Sequence, residues 1–400
     1  MTQSGEPASQ VVGRQRQPRP AEGKESLTHT LQGAILYLAA GFQIIVIVLG
    51  EDIISKMNKQ YVRKPAADPA LGRRIQELIQ YKGGGYNETA VADIIENALK
   101  LLTDVKNTGD VKVIQTALRE LRYSFRLFAP YARIRKVSIF GSARTGRDSA
   151  EYQQAANFAR KIVDAGFMVI TGAGPGIMQA GHEGAGPQNS FGVNIRLPWE
   201  QGANPVIAED KKLITFKYFF TRKLIFIRHS DALALFPGGF GTLDEGYEAL
   251  TLMQTGKCQI MPLVLLDVPG SGYWEAFDKK VRQQLLRKKL ISPDALNLYH
   301  ITSDVDEAVN VITRFYRNFH SSRFVKDMTV IRLNKMTKSA LDEINGKFSD
   351  VIVEGKIKII DPTPEEVEDN DNLNLARIAF NFNRRDYGRL RQLIDVLNEL

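Results

Sequence analysis

From Arg135 onward the chain alternates short, largely apolar runs with stretches whose apolar residues recur every three or four positions. No other feature constrains the fold so tightly. The runs are Val137–Phe140, Met168–Thr171, Ser190–Leu197, Ala232–Phe236, Met261–Val268 and Tyr299–Thr302. Helical spacing occupies Ser149–Ala165, Gly176–Gly184, Ile214–His229, Leu243–Thr255, Tyr273–Lys289 and Val305–Phe319. A strand that is apolar on both faces needs cover on both faces, and helical crossovers between parallel strands supply it. The pattern therefore predicts an α/β fold with a doubly wound, Rossmann-like parallel sheet over 135–325.

The flanks differ. Residues 1–30 are polar and aperiodic and are expected to form a disordered tail. Residues 31–56 contain the apolar run Gly33–Gly50, in which Gln43 is the one strongly polar side chain. As a helix this run would span about 27 Å, just short of a hydrocarbon core. It reads either as a membrane anchor or as a buried helix or strand in a soluble oligomer. Glu51 and Asp52 follow it, so no cleaved signal peptide is expected. The expected location is cytoplasmic, with membrane contact through 33–50 as the alternative. Residues 57–134 carry helical spacing, as in Thr89–Leu102 and Val113–Leu127, broken by the Lys82–Tyr86 sequence KGGGY. After about 326 the alternation stops. Strands at Val330–Leu333 and Val351–Ile360, an acidic solvated loop at 361–372 and a helix over Leu373–Leu400 predict a small α+β appendage.

Composition excludes several chemistries. The single cysteine, Cys258, rules out an intrachain disulfide framework and Cys-clustered metal sites, and the five histidines have no metal-binding spacing. A net charge of +8 is compatible with an anionic small substrate or a weak nucleic-acid footprint, and proves neither. The basic stretch Lys279–Lys289 is read as the solvated face of a helix, so no nucleic-acid partner is expected.

Three glycine-bearing turns fall where a parallel sheet binds ligands, beyond the carboxyl ends of strands. They are Phe140-Gly141-Ser142, Gly172-Ala173-Gly174-Pro175-Gly176-Ile177-Met178, and Pro237-Gly238-Gly239-Phe240-Gly241-Thr242-Leu243-Asp244-Glu245. None has the P-loop spacing, and the first lacks the dinucleotide fingerprint. The second turn is equally compatible with close strand–helix packing. The third is more telling. Gly238 and Gly239 let backbone approach an anion, and Thr242 sets a hydroxyl beside a helix N-terminus, which favours phosphate. Glu245 follows about one turn into that helix; the bland alternative for an acid there, complementing the helix dipole, suits Asp244 better. Arg222 and Lys223 interrupt an otherwise aromatic and aliphatic helix, and a solvated pair is the plain alternative for them.

Taken together, the PGGxGTxxE loop, the preceding Arg-Lys pair and the two upstream turns resemble the Lonely Guy family of nucleoside-monophosphate phosphoribohydrolases, often misnamed lysine decarboxylases. The resemblance covers about residues 134–320. It implies hydrolysis of the N-glycosidic bond of an AMP-like nucleoside 5′-monophosphate, releasing free base and ribose 5-phosphate. It makes Arg222 and Glu245 the catalytic pair and places Gly238, Gly239, Gly241 and Thr242 on phosphate and ribose. By the same resemblance Gly141, Ser142, Gly172, Gly174, Met178 and Lys223 are substrate-binding candidates. Glu200, in the Leu197-Pro198-Trp199-Glu200 setting, and Thr251, later on the motif helix, complete the set. Plant members carry Met-His before x-Arg-Lys, whereas Phe219-Phe220 precede Thr221 here, a pattern that looks like the bacterial branch. Self-association as a dimer or larger oligomer is implied too.

This chemistry needs no organic cofactor or metal. Rupture of a ribosyl C–N bond develops oxocarbenium character that a carboxylate can stabilise, while arginine stays protonated and serves to position and neutralise. A pyridoxal decarboxylase would need a Schiff-base lysine and an acidic partner for the ring nitrogen, and no such set is visible. The alternative is a nucleotide-binding or sensing protein on the same fold, which would need the glycine loop but not the carboxylate.

Overall fold

The computed structural model describes residues 68–197 and 202–400. The expected tail, the 33–50 run and Glu200 lie outside the described residues. Among the described residues no helix is long and apolar enough to cross a membrane.

The chain divides into two compact units at Lys106/Asn107. In the first, α1 (Pro69–Tyr81) starts with Pro69 behind an Asp68 cap, and α2 (Glu88–Asp104) follows the glycine turn. Gly83, Gly84 and Gly85 all adopt positive φ, which ends α1. Ile75, Ile79 and Ala92 form its small core.

The second unit opens with α3 (Thr108–Phe128), capped by Asn107. The alternating region then runs β1 (Lys136–Phe140), α4 (Ala150–Asp164), β2 (Met168–Thr171), α5 (Ile177–Ala185), β3 (Ser190–Ile195), β4 (Leu213–Phe216), α6 (Phe219–His229), β5 (Ala232–Leu235), α7 (Phe240–Gln254), β6 (Leu263–Leu266), α8 (Tyr273–Lys280), β7 (His300–Thr302) and α9 (Val305–Phe315). All strand pairings here are parallel, in the order β4-β3-β2-β1-β5-β6-β7. The doubly wound sheet expected from the apolar runs is present. Successive residues point to opposite faces. Val137, Ile139, Val169, Ala234 and Val264 pack on one side, and Ile170, Val193, Leu233 and Leu265 on the other. Each such valine, leucine or isoleucine burial is worth roughly 1.5–3 kcal/mol. Because the chain winds outward from β1 to β4 and then returns to β5, the strand order reverses between β1 and β5. Ligands of doubly wound sheets bind at such a switch point.

Several boundaries depart from the sequence expectation. The stretch Ile214–His229 is not one helix but edge strand β4 followed by α6. Leu213–Phe216 alternates half-buried, buried, exposed, buried, so its period is two, and pairing with β3 overrides the helical spacing. Helical structure after Tyr273 ends at Leu286: α8 passes after Lys280 into a wide π-type turn over Val281–Leu286.

The C-terminal part adds β8 (Phe319–Val325), β9 (Met328–Leu333), α10 (Lys338–Lys347), β10 (Lys358–Ile359), α11 (Pro364–Glu368), β11 (Ala376–Phe380) and α12 (Tyr387–Leu397). Its antiparallel sheet has the order β10-β11-β9-β8. The expected strand over 351–360 shrinks to Lys358–Ile359, and the expected helix over 373–400 yields its start to β11. The acidic 361–372 stretch is not simply a solvated loop. Glu366 is fully buried and accepts from Arg332 Nε at 2.7 Å and Arg377 Nε at 3.1 Å, and it closes a capping box with Thr363. Two guanidinium groups draw the carboxylate inward, so composition alone misjudged its exposure.

Candidate active site

The switch point brings the first and third glycine turns together, and Ser142 is the knot. Its N–H donates to Pro237 O at 3.0 Å, and its carbonyl accepts from Ile177 N at 3.1 Å, so one residue ties all three turns. At Gly238 a side chain is forbidden. A Cβ there would lie 2.1 Å from Thr242 Oγ1 and 3.0 Å from Ser142 N. Tyr273 fixes the same turn by donating its hydroxyl to Gly238 O at 2.6 Å. The α7 N-terminus has no side-chain cap, and the leading N–H groups of a helix have no intrahelical acceptor, so it offers donors and a positive dipole end to an anion. A cleft of about 360 Å³ beside these turns is lined by Ser142, Thr145, Ser149 and Gly238.

Arg222 enters from α6. Its Nε donates to Val193 O at 2.9 Å, and its guanidinium lies over the Phe226 ring at 5.2 Å. A Cβ on Gly172 would meet Arg222 Nη2 at 2.5 Å and Met178 Sδ at 2.7 Å, so the second turn is shaped around this arginine. The next residue, Lys223, reaches three acids of α7: Asp244 at 2.9 Å, Glu248 at 2.9 Å and Glu245 at 3.4 Å.

Glu245 is 6% exposed. Burial pushes its carboxyl up to about 7, against the opposing pull of Lys223 and Arg222 and with a further push from Glu248 and Asp244. For Lys223, burial disfavours the ammonium, but Glu245, Asp244 and Glu248 outweigh it and hold its pKa above the ordinary lysine range. The result is a buried acid poised near neutrality beside two fixed cations. Such tuning suits an acid–base or charge-stabilising group.

A family described as "Possible lysine decarboxylase" matches residues 175–312. The chain is 31% identical to a probable cytokinin riboside 5′-monophosphate phosphoribohydrolase of Arabidopsis thaliana, over 38% of this chain and 77% of that protein. The chain belongs to the Lonely Guy family. Another Arabidopsis thaliana relative, a cytokinin riboside 5′-monophosphate phosphoribohydrolase, is 28% identical over 35% of this chain and 65% of its own length. A solved Moco carrier protein from Chlamydomonas reinhardtii aligns over 46% of this chain and 97% of its own, at 20% identity and a TM-score of 0.33.

In this Lonely Guy chain the decarboxylase label sits poorly with Lys223. A Schiff-base lysine needs a lowered pKa, whereas three carboxylates raise that of Lys223. Of the residues named from sequence, the structure draws Gly172, Met178 and Arg222 into one contact group, and Ser142, Gly238 and Thr242 into another. Gly141 packs against Ile177, and Gly174 against Met178. Gly239 and Gly241 are exposed, and a Cβ on either would meet nothing within 4 Å, so space within the chain does not demand glycine there. Thr251 is exposed, six residues beyond Glu245 and therefore about 240° around the helix. Sequence reasoning missed Tyr273, and it did not foresee the grip of Glu248 on Lys223. Glu248 lies three residues after Glu245 on α7, a helical spacing that could have flagged it.

Proposed function

We propose that the protein hydrolyses the N-glycosidic bond of a nucleoside 5′-monophosphate, AMP-like in its base, to free base and ribose 5-phosphate. The observation that carries this reading is Glu245: a buried carboxylate raised to about 7, flanked by Arg222 and Lys223 and borne on the helix whose N-terminus follows the glycine turn. The names of the phosphoribohydrolase relatives support the same reaction class.

The phosphate would sit on the N–H groups at the start of α7, between the Gly238–Gly241 turn and Thr242. Held there, it anchors the ribose away from the bond that breaks, so its binding energy can serve orientation at C1′. As the C–N bond lengthens, positive charge grows on the ribose ring, and ionised Glu245 stabilises it or orients the attacking water. The electron pair of that bond departs with the base nitrogen, which takes a proton from solvent or a neighbouring donor. Arg222 stays protonated throughout and neutralises and orients the substrate. A pure binder would gain nothing from holding a carboxylate against its own solvation.

The test is a panel of nucleoside monophosphates and matching nucleosides with chromatographic product analysis. Free base and ribose 5-phosphate should form from AMP or a related monophosphate and not from the nucleoside. A Glu245→Gln protein that turns over normally would remove the assignment.

A further inference from the structure

Helix α3 lies outside residues 175–312, yet its buried face is unusual. Thr116, Glu120, Ser124 and Phe128 form an i, i+4 stripe of buried residues, three of them polar. A carboxylate on a buried stripe needs dedicated partners. Those of Glu120 are at the start of α6: Oε1 accepts from Lys217 N at 2.7 Å, and Oε2 accepts from Thr221 Oγ1 at 2.6 Å. The N-cap residue of α6 is Tyr218, which makes no side-chain capping bond. Glu120 thus ties, from another helix, the residue before the α6 N-cap and the hydroxyl of its first turn to one fixed point. At the other end of α6, Phe128 stacks on His229 at 4.0 Å between ring centroids and on Phe191 of β3 at 4.4 Å. One helix therefore grips both ends of α6, and the residues directly after Thr221 are Arg222 and Lys223.

We propose that Glu120 is a positioning residue: by anchoring the start of α6 it sets where Arg222 and Lys223 stand relative to Glu245. The proposal rests on the role given to Glu245 above, and it makes the segment before the matched region part of the catalytic apparatus. The charged groups acting on Glu245 are Lys223 and Arg222 from α6 and Asp244 and Glu248 from α7. If α6 shifts, the cations withdraw while the acids stay. The Glu245 carboxyl should then titrate at higher pH, and the acid limb of turnover should move with it.

The experiment is a carbon-13 NMR titration of glutamate-labelled full-length protein, with Glu245 assigned by difference from Glu245→Gln, alongside the pH dependence of AMP turnover. Glu120→Ala should raise the Glu245 midpoint by about half a pH unit or more. It should also lower kcat roughly 10- to 100-fold with the acid limb displaced. Glu120→Gln should stay near wild type, since its oxygen still accepts from Lys217 and its amide can donate to Thr221 Oγ1, leaving that hydroxyl to Tyr218 O. Should Glu120→Ala fail to fold, Thr221→Val removes the α6 side of the anchor at nearly constant shape and should displace the midpoint in the same direction. An unchanged Glu245 midpoint in a folded variant overturns the proposal, as does reduced turnover with no displaced limb. Absence of AMP hydrolysis by wild type would count against the proposed function alone, because the titration still reads the coupling between Glu120 and Glu245.

Discussion

Replacing Glu245 by glutamine should make the protein more stable at alkaline pH while it destroys turnover. The carboxyl titrates near 4.5 when exposed and is pushed up to about 7 in the folded chain. At about 1.4 kcal/mol per tenfold change, keeping it ionised costs the folded state roughly 3 kcal/mol. The sign follows from the raised value. Below about pH 4.5 the group is protonated in both states and costs nothing; the cost grows between about 4.5 and 7 and is constant above. Glutamine mimics the protonated acid at every pH, so wild type and Glu245→Gln should melt together near pH 4.5 and diverge toward pH 8. A difference of this size corresponds to roughly 4–5 °C in melting temperature at pH 8. Thermal unfolding of both proteins in buffers from pH 4.5 to 8.5, followed by circular dichroism, reads it directly. Equal melting temperatures at pH 8, or a less stable glutamine protein, would refute the reasoning. They would mean that Lys223 and Arg222 compensate the buried charge fully and that no folding energy is being given up at this position.

Further outcomes are expected. Turnover should rise with pH through about 7 as Glu245 ionises, and a flat profile from pH 5 to 8 in kcat/KM would exclude it as the group required in charged form. Gly238→Ala should destabilise by roughly 1–3 kcal/mol because its Cβ collides with Thr242 Oγ1. Gly239→Ala, at φ −86° with open space around it, should fold as wild type, so a rise in its KM for AMP, measured by steady-state kinetics, would report on phosphate approach alone. Arg222→Lys keeps charge but loses the fork and the bond to Val193 O; kcat/KM should fall at least about 10-fold in the same assay. Glu366→Ala leaves Arg332 and Arg377 buried without their shared acid, and chemical denaturation should show a loss of roughly 3–5 kcal/mol in the C-terminal region.

Local pattern sufficed for the sheet and for the glycine turns beside its switch point. Apolar runs such as Val137–Phe140 can satisfy themselves only in the middle of a covered sheet, and Gly238 stands where the Thr242 side chain and Ser142 N leave no room for a Cβ. Local pattern failed where a tertiary partner outvoted it. Leu213–Phe216 became a strand because β3 offered it an edge, and Glu366 went inside because Arg332 and Arg377 were waiting there.

Residue types and their spacing along the chain therefore determined which side chains could serve as anion cradle, cation and carboxylate. The tertiary structure alone decided their chemistry. A glutamate has an ordinary pKa until folding removes its water and sets Lys223 and Arg222 beside it, and those cations stand where they do partly because Glu120, about a hundred residues upstream, holds the helix that bears them. A separation of about a hundred residues carries no information about distance, and electrostatic energy depends on distance and solvation.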